Sequence, residues 1–254
     1  VCAEQMLLCR ALEAAAHCAR VLGLDELEYR SAAEQLRVRI EEKFWCEERR
    51  AYVDGFASGR NNVTRHANLL AILLGFADEG RKKVIVDSVI SSVIVPQIKT
   101  PYFKFYELEA LCATGQTDKA LNAMLAYWGG MLNLGATTFW EEYDPLKKGD
   151  EHLTMYGGKY DKSLCHAWGA SPIYLLGRYF LGVRPTSDGY ATFECAPDLA
   201  GLEWMEGIVP IEGGSVRVSF RDNTLKVLAS REGGTLIWRG KQTLMPADRE
   251  IVLK

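Results

Sequence analysis

The stretch CAEQMLLCRALEAAAHCARVLG, residues 2–23, determines the fold class that the sequence predicts. Alanine and leucine recur in it at helical spacing, and its final glycine is a residue that commonly ends a helix. Asp25 is a good N-cap for a second helix, in which Ile40 and Phe44 continue an apolar repeat of four residues. A helix, a tight turn and a second helix predict an antiparallel hairpin.

More helices follow the first hairpin. The β-branched segment near residues 80–95 is predicted to be helical because its apolar pairs recur every four residues. The sequence shows no fixed-period repeat, which argues against a solenoid and favours a closed ring of helical hairpins. A short extended piece is predicted at 51–53, and the further helices are predicted at 63–77, 80–95, 101–115, 117–131 and 163–181.

Strand patterns replace the helical patterns at Gly182. Apolar and polar residues alternate in SVRVSF, and the turn residues Asp222 and Asn223 predict a hairpin with the segment that follows. The predicted fold is therefore mainly α, with helical hairpins in residues 1–181 and a small antiparallel β-sandwich domain in residues 182–254. The predicted strands are 215–220, 225–228, 235–238 and 251–253.

Composition and charge exclude several classes of function. The 254 residues carry a net charge of −3, so the sequence predicts no basic face for nucleic acid. No run of 18 apolar residues is present, which predicts no membrane partner. The seven cysteines form no CxxC pair, so we expect thiols in a reducing, cytoplasmic compartment rather than a zinc site or a disulfide framework. The sequence contains neither a metal-ligand cluster nor a phosphate-binding loop, so we expect no cofactor.

The segment TTFWEEYDP, residues 137–145, contains the first candidates for catalysis, the adjacent carboxylates Glu141 and Glu142. Hydrolysis of a glycosidic bond needs one carboxylic acid to protonate the leaving oxygen and one carboxylate to activate water. Neighbouring residues of one chain cannot usually both point into one site, so at most one of the two is catalytic. The alternative is a solvated acid on a loop, which is the commoner environment of glutamate.

Aromatic residues surround this acidic pair in the sequence. Aromatic faces beside carboxylates are typical of carbohydrate sites, although aromatic core is an equally good explanation. His166 is placed in the first turn of the predicted helix 163–181, with Ser163 as its cap, where it can donate to a sugar hydroxyl or orient Glu141. A satisfied core histidine is the alternative. The aromatic candidates are Trp140, Tyr143, Tyr156, Tyr160 and Trp168.

Four motifs together resemble the C-terminal half of bacterial α-L-rhamnosidases, a family of glycosidases with an (α/α)6 barrel. They are ATTFWEEYDP at 136–145, SLCHAWGASP at 163–172, GVRPT at 182–186 and GIVP at 207–210. The resemblance implies a partial (α/α)6 barrel in residues 1–181. It also implies hydrolysis of terminal α-L-rhamnosides with inversion, with a rhamnose-containing glycoside as substrate.

The resemblance also assigns roles to individual residues. Glu141 matches the general base in the family's Thr-Thr-aromatic-Trp-Glu motif, and Glu142 falls outside the match. His166 is expected to contact the sugar, and Trp140 and Trp168 are expected to shape the site. Cys165 stands where the family pattern has Asn, so a polar contact from that position is not expected.

One part of the family pattern does not match. The general acid belongs to an Asp-Glu-Arg-rich segment in the first barrel helices, and residues 1–60 do not resemble it. We therefore expect a C-terminal portion that is nearly inactive alone and has the missing N-terminal part of the same enzyme as its partner. Two alternatives stay open: a catalytically inactive carbohydrate-binding or scaffolding relative, and a hydrolase of the same barrel type that acts on another sugar.

Overall fold

The structure is a computed structural model that describes residues 1–55 and 62–254. Its chain divides into two compact units, residues 1–114 and 115–254. The first unit is helical apart from a two-stranded hairpin. Its elements are α1 (Cys2–Val21), α2 (Leu27–Phe44), β1 (Trp45–Cys46), β2 (Ala51–Tyr52), α3 (Arg65–Leu73), α4 (Glu79–Ile85) and α5 (Pro101–Ala113).

The first hairpin forms as the sequence predicts. In α1, Cys2, Met6 and Cys9 are buried at the four- and three-residue spacings of one helical face, and α1 packs on the neighbouring helices α2 and α3. The N-cap residue of α2 is Glu26 rather than the predicted Asp25, whose carboxylate lies one residue earlier in the turn and accepts a hydrogen bond of 2.9 Å from the backbone N–H of Leu27. The predicted helical hairpin at residues 2–44 is thus confirmed.

A buried ionic cluster joins α3 to α5. The Glu107 carboxylate accepts hydrogen bonds from Arg65 Nη1 at 2.9 Å and from Lys104 Nζ at 2.6 Å. Arg65 Nη1 also donates to the carbonyl oxygen of Ile90 at 2.7 Å, and Nη2 donates to that of Ser92 at 2.9 Å. The helix predicted at 80–95 is shorter in the structure: α4 ends at Ile85 and is followed by a π-turn at Val86–Ile90. The carbonyl groups of Ile90 and Ser92 accept hydrogen bonds from Arg65 and do not continue a helix.

The second unit contains helices and two β-sheets. Its helices are α6 (Thr117–Asn133) and α7 (Ser171–Leu175), the second of which continues into a π-turn at Leu176–Phe180. No helix in residues 1–55 or 62–254 combines the length and apolar character that crossing a membrane requires. The strands are β3 (Val183–Pro185), β4 (Phe193–Cys195), β5 (Met205–Ile211), β6 (Gly214–Arg221), β7 (Thr224–Ala229), β8 (Gly234–Trp238), β9 (Lys241–Met245) and β10 (Ile251–Leu253).

The strands form two four-stranded sheets that share one core. The strand orders are β10-β7-β6-β5 and β3-β4-β8-β9, and buried side chains of both sheets meet in a single apolar cluster. The predicted hairpin at Asp222 and Asn223 is confirmed, with both residues at positive φ. The sandwich departs from the antiparallel prediction at one pair: β4 and β8 run parallel, because the chain returns to the first sheet only after forming strands β5–β7 of the second.

Gly182 marks the change from helices to strands. Its φ is +76°, and a Cβ at this position would collide with the carbonyl group of Ala196, so both conformation and space require glycine. A domain boundary at this residue, between 1–181 and 182–254, stays a prediction, since the compact units divide between Thr114 and Gly115.

Candidate active site

Glu141 lies on an extended segment that hydrogen bonds hold against residues 163–166. The backbone N–H of Glu141 donates to the carbonyl oxygen of Ser163 at 3.0 Å, and the N–H of His166 donates to that of Phe139 at 2.7 Å. Ser163 is therefore part of this pairing and does not cap a helix. The prediction of a helix over 163–181, with His166 in its first turn, is wrong: α7 begins at Ser171.

Both carboxylate oxygens of Glu141 accept hydrogen bonds. Tyr156 donates its hydroxyl to Oε1 at 2.5 Å, and the backbone N–H of Ser163 donates to Oε2 at 3.0 Å. These two bonds, with that of Tyr156 the stronger influence, lower the pKa of Glu141 below its ordinary value, and the nearby His166 acts in the same direction. Glu141 is thus an accessible carboxylate that stays ionised at neutral pH, as a general base requires.

Asp161 organises the loop from which Tyr156 projects. Its Oδ1 accepts the N–H of Met155 at 2.7 Å, and its Oδ2 accepts the N–H groups of Tyr156 at 3.0 Å and Gly158 at 2.6 Å. Hydrogen bonds from these three N–H groups, that of Met155 first, lower the pKa of Asp161. The sequence analysis missed this residue, because its carboxylate accepts from backbone N–H groups that precede it in the chain, and side-chain patterns do not reveal such bonds.

Glu142 points the opposite way from Glu141 and is buried. Its Oε2 lies 2.8 Å from Lys147 Nζ and 3.6 Å from Lys162 Nζ. Lys162 Nζ also donates to the backbone carbonyl of Glu142 at 3.0 Å and lies 4.9 Å from the centroid of the Trp140 ring. Burial of Lys162 lowers the pKa of its ammonium. The expectation that the two neighbouring carboxylates do not share one site agrees with this geometry.

The two tryptophans assigned to the site have different environments. Trp140 is 6% exposed, whereas Trp168 is 65% exposed. The rings of Trp168 and His166 meet edge to face with centroids 5.5 Å apart, so the structure brings these two candidates together. Trp168 offers an open aromatic face. Trp140, which directly precedes Glu141 in the sequence, is buried. The assignment of sugar contacts to these residues stays a prediction.

The remaining aromatic candidates separate into core and surface. Tyr143 packs edge to face on Tyr127 at 5.4 Å and stacks on the buried His152 at 5.9 Å, so its ring lies against the core although it is partly exposed. Tyr160 is 63% exposed, and its ring contacts the ammonium of Lys159. Of the aromatic residues that the sequence analysis singled out, Tyr156 is the one that contacts Glu141. Among the residues described by the structure, no cluster of His, Cys, Asp and Glu suited to a metal ion is found.

Known proteins resemble this chain closely. The crystal structure of a GH78 family rhamnosidase of Bacillus sp. GL1 matches with a TM-score of 0.80 and 30% identity, over 98% of this chain and 27% of that chain. A rhamnosidase from Klebsiella oxytoca with rhamnose bound matches at 26% identity and a TM-score of 0.58, over 70% of this chain and 34% of that chain. The α-L-rhamnosidase of Streptomyces avermitilis complexed with L-rhamnose matches in fold, with 17% identity and a TM-score of 0.70, over 91% of this chain and 22% of that chain.

The chain therefore spans between about a fifth and a third of the length of these solved rhamnosidases. No curated protein sequence matches it. The predicted fold class, a partial (α/α)6 barrel followed by a β domain, is confirmed by the similarity to the Bacillus enzyme. A family model for the bacterial α-L-rhamnosidase six-hairpin glycosidase domain matches residues 2–180, and the chain belongs to that family.

Proposed function

We propose that this chain carries the general base of an inverting α-L-rhamnosidase, and that Glu141 is that base. The observation that carries the proposal is the environment of the Glu141 carboxylate, which two hydrogen bonds keep ionised while its surroundings leave it accessible. Membership of the rhamnosidase family supports the substrate class, as do the relatives that hold rhamnose.

The geometry is suited to the activation of water. A carboxylate has about four lone-pair positions, and Tyr156 and Ser163 use two of them. A water molecule that donates a proton to one of the remaining positions becomes a nucleophile for the anomeric carbon. Inversion needs a general acid on the opposite side of the sugar, with the two carboxyl groups roughly 6.5–9.5 Å apart. In this proposal, the acid and the other barrel helices come from the remaining part of the full enzyme.

Residues near Glu141 would bind the sugar. The exposed ring of Trp168 offers an apolar face for the C–H groups of a pyranose, and the adjacent His166 offers a polar group for a hydroxyl. Trp140 is buried, so its contribution is to support the backbone of Glu141 rather than to contact the ligand.

The test compares turnover of a chromogenic α-L-rhamnoside by the full enzyme and by its Glu141→Gln variant. Loss of a general base costs about 10²- to 10⁴-fold in rate, whereas binding of L-rhamnose should be kept because glutamine has the same shape. Proton NMR of the first product shows whether the anomeric configuration is inverted. Glu206→Gln is the matched control, since that carboxylate in β5 is 52% exposed and has no part in the proposed site.

Retention of full activity by Glu141→Gln would reject the base. Rhamnose binding without any hydrolysis by the wild type would instead support a carbohydrate-binding relative. As a check on the substrate site, Trp168→Ala should weaken L-rhamnose binding in a calorimetric titration.

A further inference from the structure

We propose that Tyr156 is a positioning residue for Glu141 and that Asp161 acts as a latch, holding Tyr156 in place through the backbone of residues 155–158. This inference rests on the proposed function of Glu141. It adds two residues that neither the sequence motifs nor the family resemblance assigns a role.

Tyr156 has little besides its hydroxyl to fix its position. The side chain is 69% exposed, so packing of the ring contributes little. The hydroxyl donates to Glu141 Oε1 at 2.5 Å, a short bond of the kind formed between a phenol and a carboxylate. The place of this hydroxyl is therefore determined mainly by the backbone from which Tyr156 projects.

Asp161 fixes that backbone. Three N–H groups, those of Met155, Tyr156 and Gly158, point at its carboxylate within 3.0 Å, which is the arrangement of an anion-binding turn. The turn contains Gly157 at a φ of +104°, a conformation that glycine adopts without strain. If the carboxylate were removed, these three donors would lose their common acceptor, and the exposed loop would have no equivalent interaction to replace it.

The consequence for catalysis is orientation of the base. With Oε1 bound to Tyr156 and Oε2 bound to the N–H of Ser163, the carboxylate plane is fixed at two points and the free lone pairs keep constant directions. A general base works only when the water it deprotonates is within hydrogen-bond reach in the correct direction. The loop 155–161 is thus a device that sets the direction in which Glu141 accepts a proton.

The charges around Glu141 allow the latch to be distinguished from a simple electrostatic effect. The groups that act on this carboxylate are the Tyr156 hydroxyl, the Ser163 N–H, and the charged or titratable side chains of Asp161, His166 and Lys162. The negative charge of Asp161 by itself raises the pKa of Glu141, whereas the hydrogen bond of Tyr156 lowers it. Loss of Asp161 therefore has opposite effects in the two explanations: charge alone predicts a lower pKa of Glu141, and loss of the latch predicts a higher one.

The experiment measures the pKa of Glu141 by 13C NMR titration of its side-chain carboxyl group in the 254-residue chain, with Glu141→Gln used to assign the signal. Tyr156→Phe should raise this pKa. Tyr160→Phe, which removes a hydroxyl from an exposed tyrosine of the same loop, should leave it unchanged. Asp161→Ala should raise the pKa in the wild-type background and lower it in the Tyr156→Phe background, where no phenol is left to position.

An unchanged pKa of Glu141 in Tyr156→Phe, or a lower pKa in Asp161→Ala in both backgrounds, would overturn the proposal. Circular dichroism confirms that each variant is folded. In the full enzyme, the acid limb of the pH profile of kcat/KM should move to higher pH in Tyr156→Phe, in the same direction as the pKa of Glu141. The NMR readout needs no turnover, so failure of this inference is distinguishable from failure of the rhamnosidase proposal.

Discussion

Replacing Glu142 by glutamine is expected to lower the stability of the protein. The same replacement at Glu141 is instead expected to remove most of the activity. Glu142 is 7% exposed at its side chain, and the Lys162 side chain that it faces is 0% exposed. Removing one partner of a buried ion pair costs about 3–5 kcal/mol, because the other charge is left uncompensated. Lys147 is 23% exposed and can turn to water, so we expect the lower end, about 3 kcal/mol.

The loss should depend on pH in a definite direction. Burial holds the pKa of Lys162 below its ordinary value, and the Glu142 carboxylate partly opposes that shift. Between the folded and the ordinary pKa, the unfolded chain binds more protons than the folded chain, so stability rises with pH in this window. In Glu142→Gln the window is wider, and the variant should recover part of its lost stability as the pH rises through the alkaline range.

The assay is urea unfolding of wild type, Glu141→Gln and Glu142→Gln, followed by circular dichroism at several pH values. A loss of about 3 kcal/mol corresponds to roughly 6–12 °C in Tm for a chain of this size. Glu141 is accessible and its hydrogen-bond donors, the Tyr156 hydroxyl and the Ser163 N–H, are uncharged, so Glu141→Gln should unfold close to the wild type. Equal stability of Glu142→Gln and wild type, at every pH, would refute the buried ion pair as the role of Glu142.

Two further stability predictions use matched pairs of variants. Glu107→Gln removes the carboxylate between two buried cations and should cost about 3–5 kcal/mol, whereas Glu79→Gln, at a side chain that is 90% exposed, should cost less than about 1 kcal/mol; equal losses in urea unfolding would contradict the role of burial. Gly182→Ala and Gly240→Ala both replace a glycine at a φ of +76°. Each should cost about 1–2 kcal/mol for the backbone conformation, and only Gly182→Ala should lose several kcal/mol more from its collision with Ala196, which thermal unfolding of the pair would measure.

Most helices of residues 1–131 were predictable because their apolar residues follow the helical period and their ends carry ordinary signals; the exception is the segment 80–95, where α4 ends at Ile85. Asp25 is one such signal, and its carboxylate does close the turn before α2. The helix predicted over 163–181 was started too early, because the Leu, Ala and Trp residues at the beginning of that range also follow the helical spacing although they lie before α7. The true start was marked by Pro172, which occupies the first turn of α7.

Strands with a regular alternation were predictable, and irregular ones were not. SVRVSF in β6 alternates as a half-buried strand should. β5 escaped prediction because Gly207 and Pro210 weaken a strand pattern, yet its end residues Met205 and Ile211 are buried in the sandwich core.

The candidate site was predictable in the residue that we propose as the base, and not in the residues that support it. Glu141 was identified by a motif, whereas Asp161 acts through backbone N–H groups, which no pattern of side chains displays. Lys162 was missed for a related reason: a lysine is mostly exposed, and its burial here depends on Glu142, twenty residues earlier in the chain.

Burial along residues 140–144 explains how two adjacent glutamates acquire different environments. Trp140, Glu142 and Asp144 are buried, whereas Glu141 and Tyr143 between them are partly exposed. Such alternation is typical of extended chain, in which successive side chains point to opposite sides. The buried side is anchored by the Lys162 ammonium, which contacts Trp140 and Glu142. That anchoring leaves Glu141 facing outward on a fixed backbone. The buried ion pair of Glu142 and the exposed carboxylate of Glu141 therefore depend on one extended conformation. In a helix, adjacent side chains are not directed to opposite sides, so Glu141 and Glu142 would not be separated in this way.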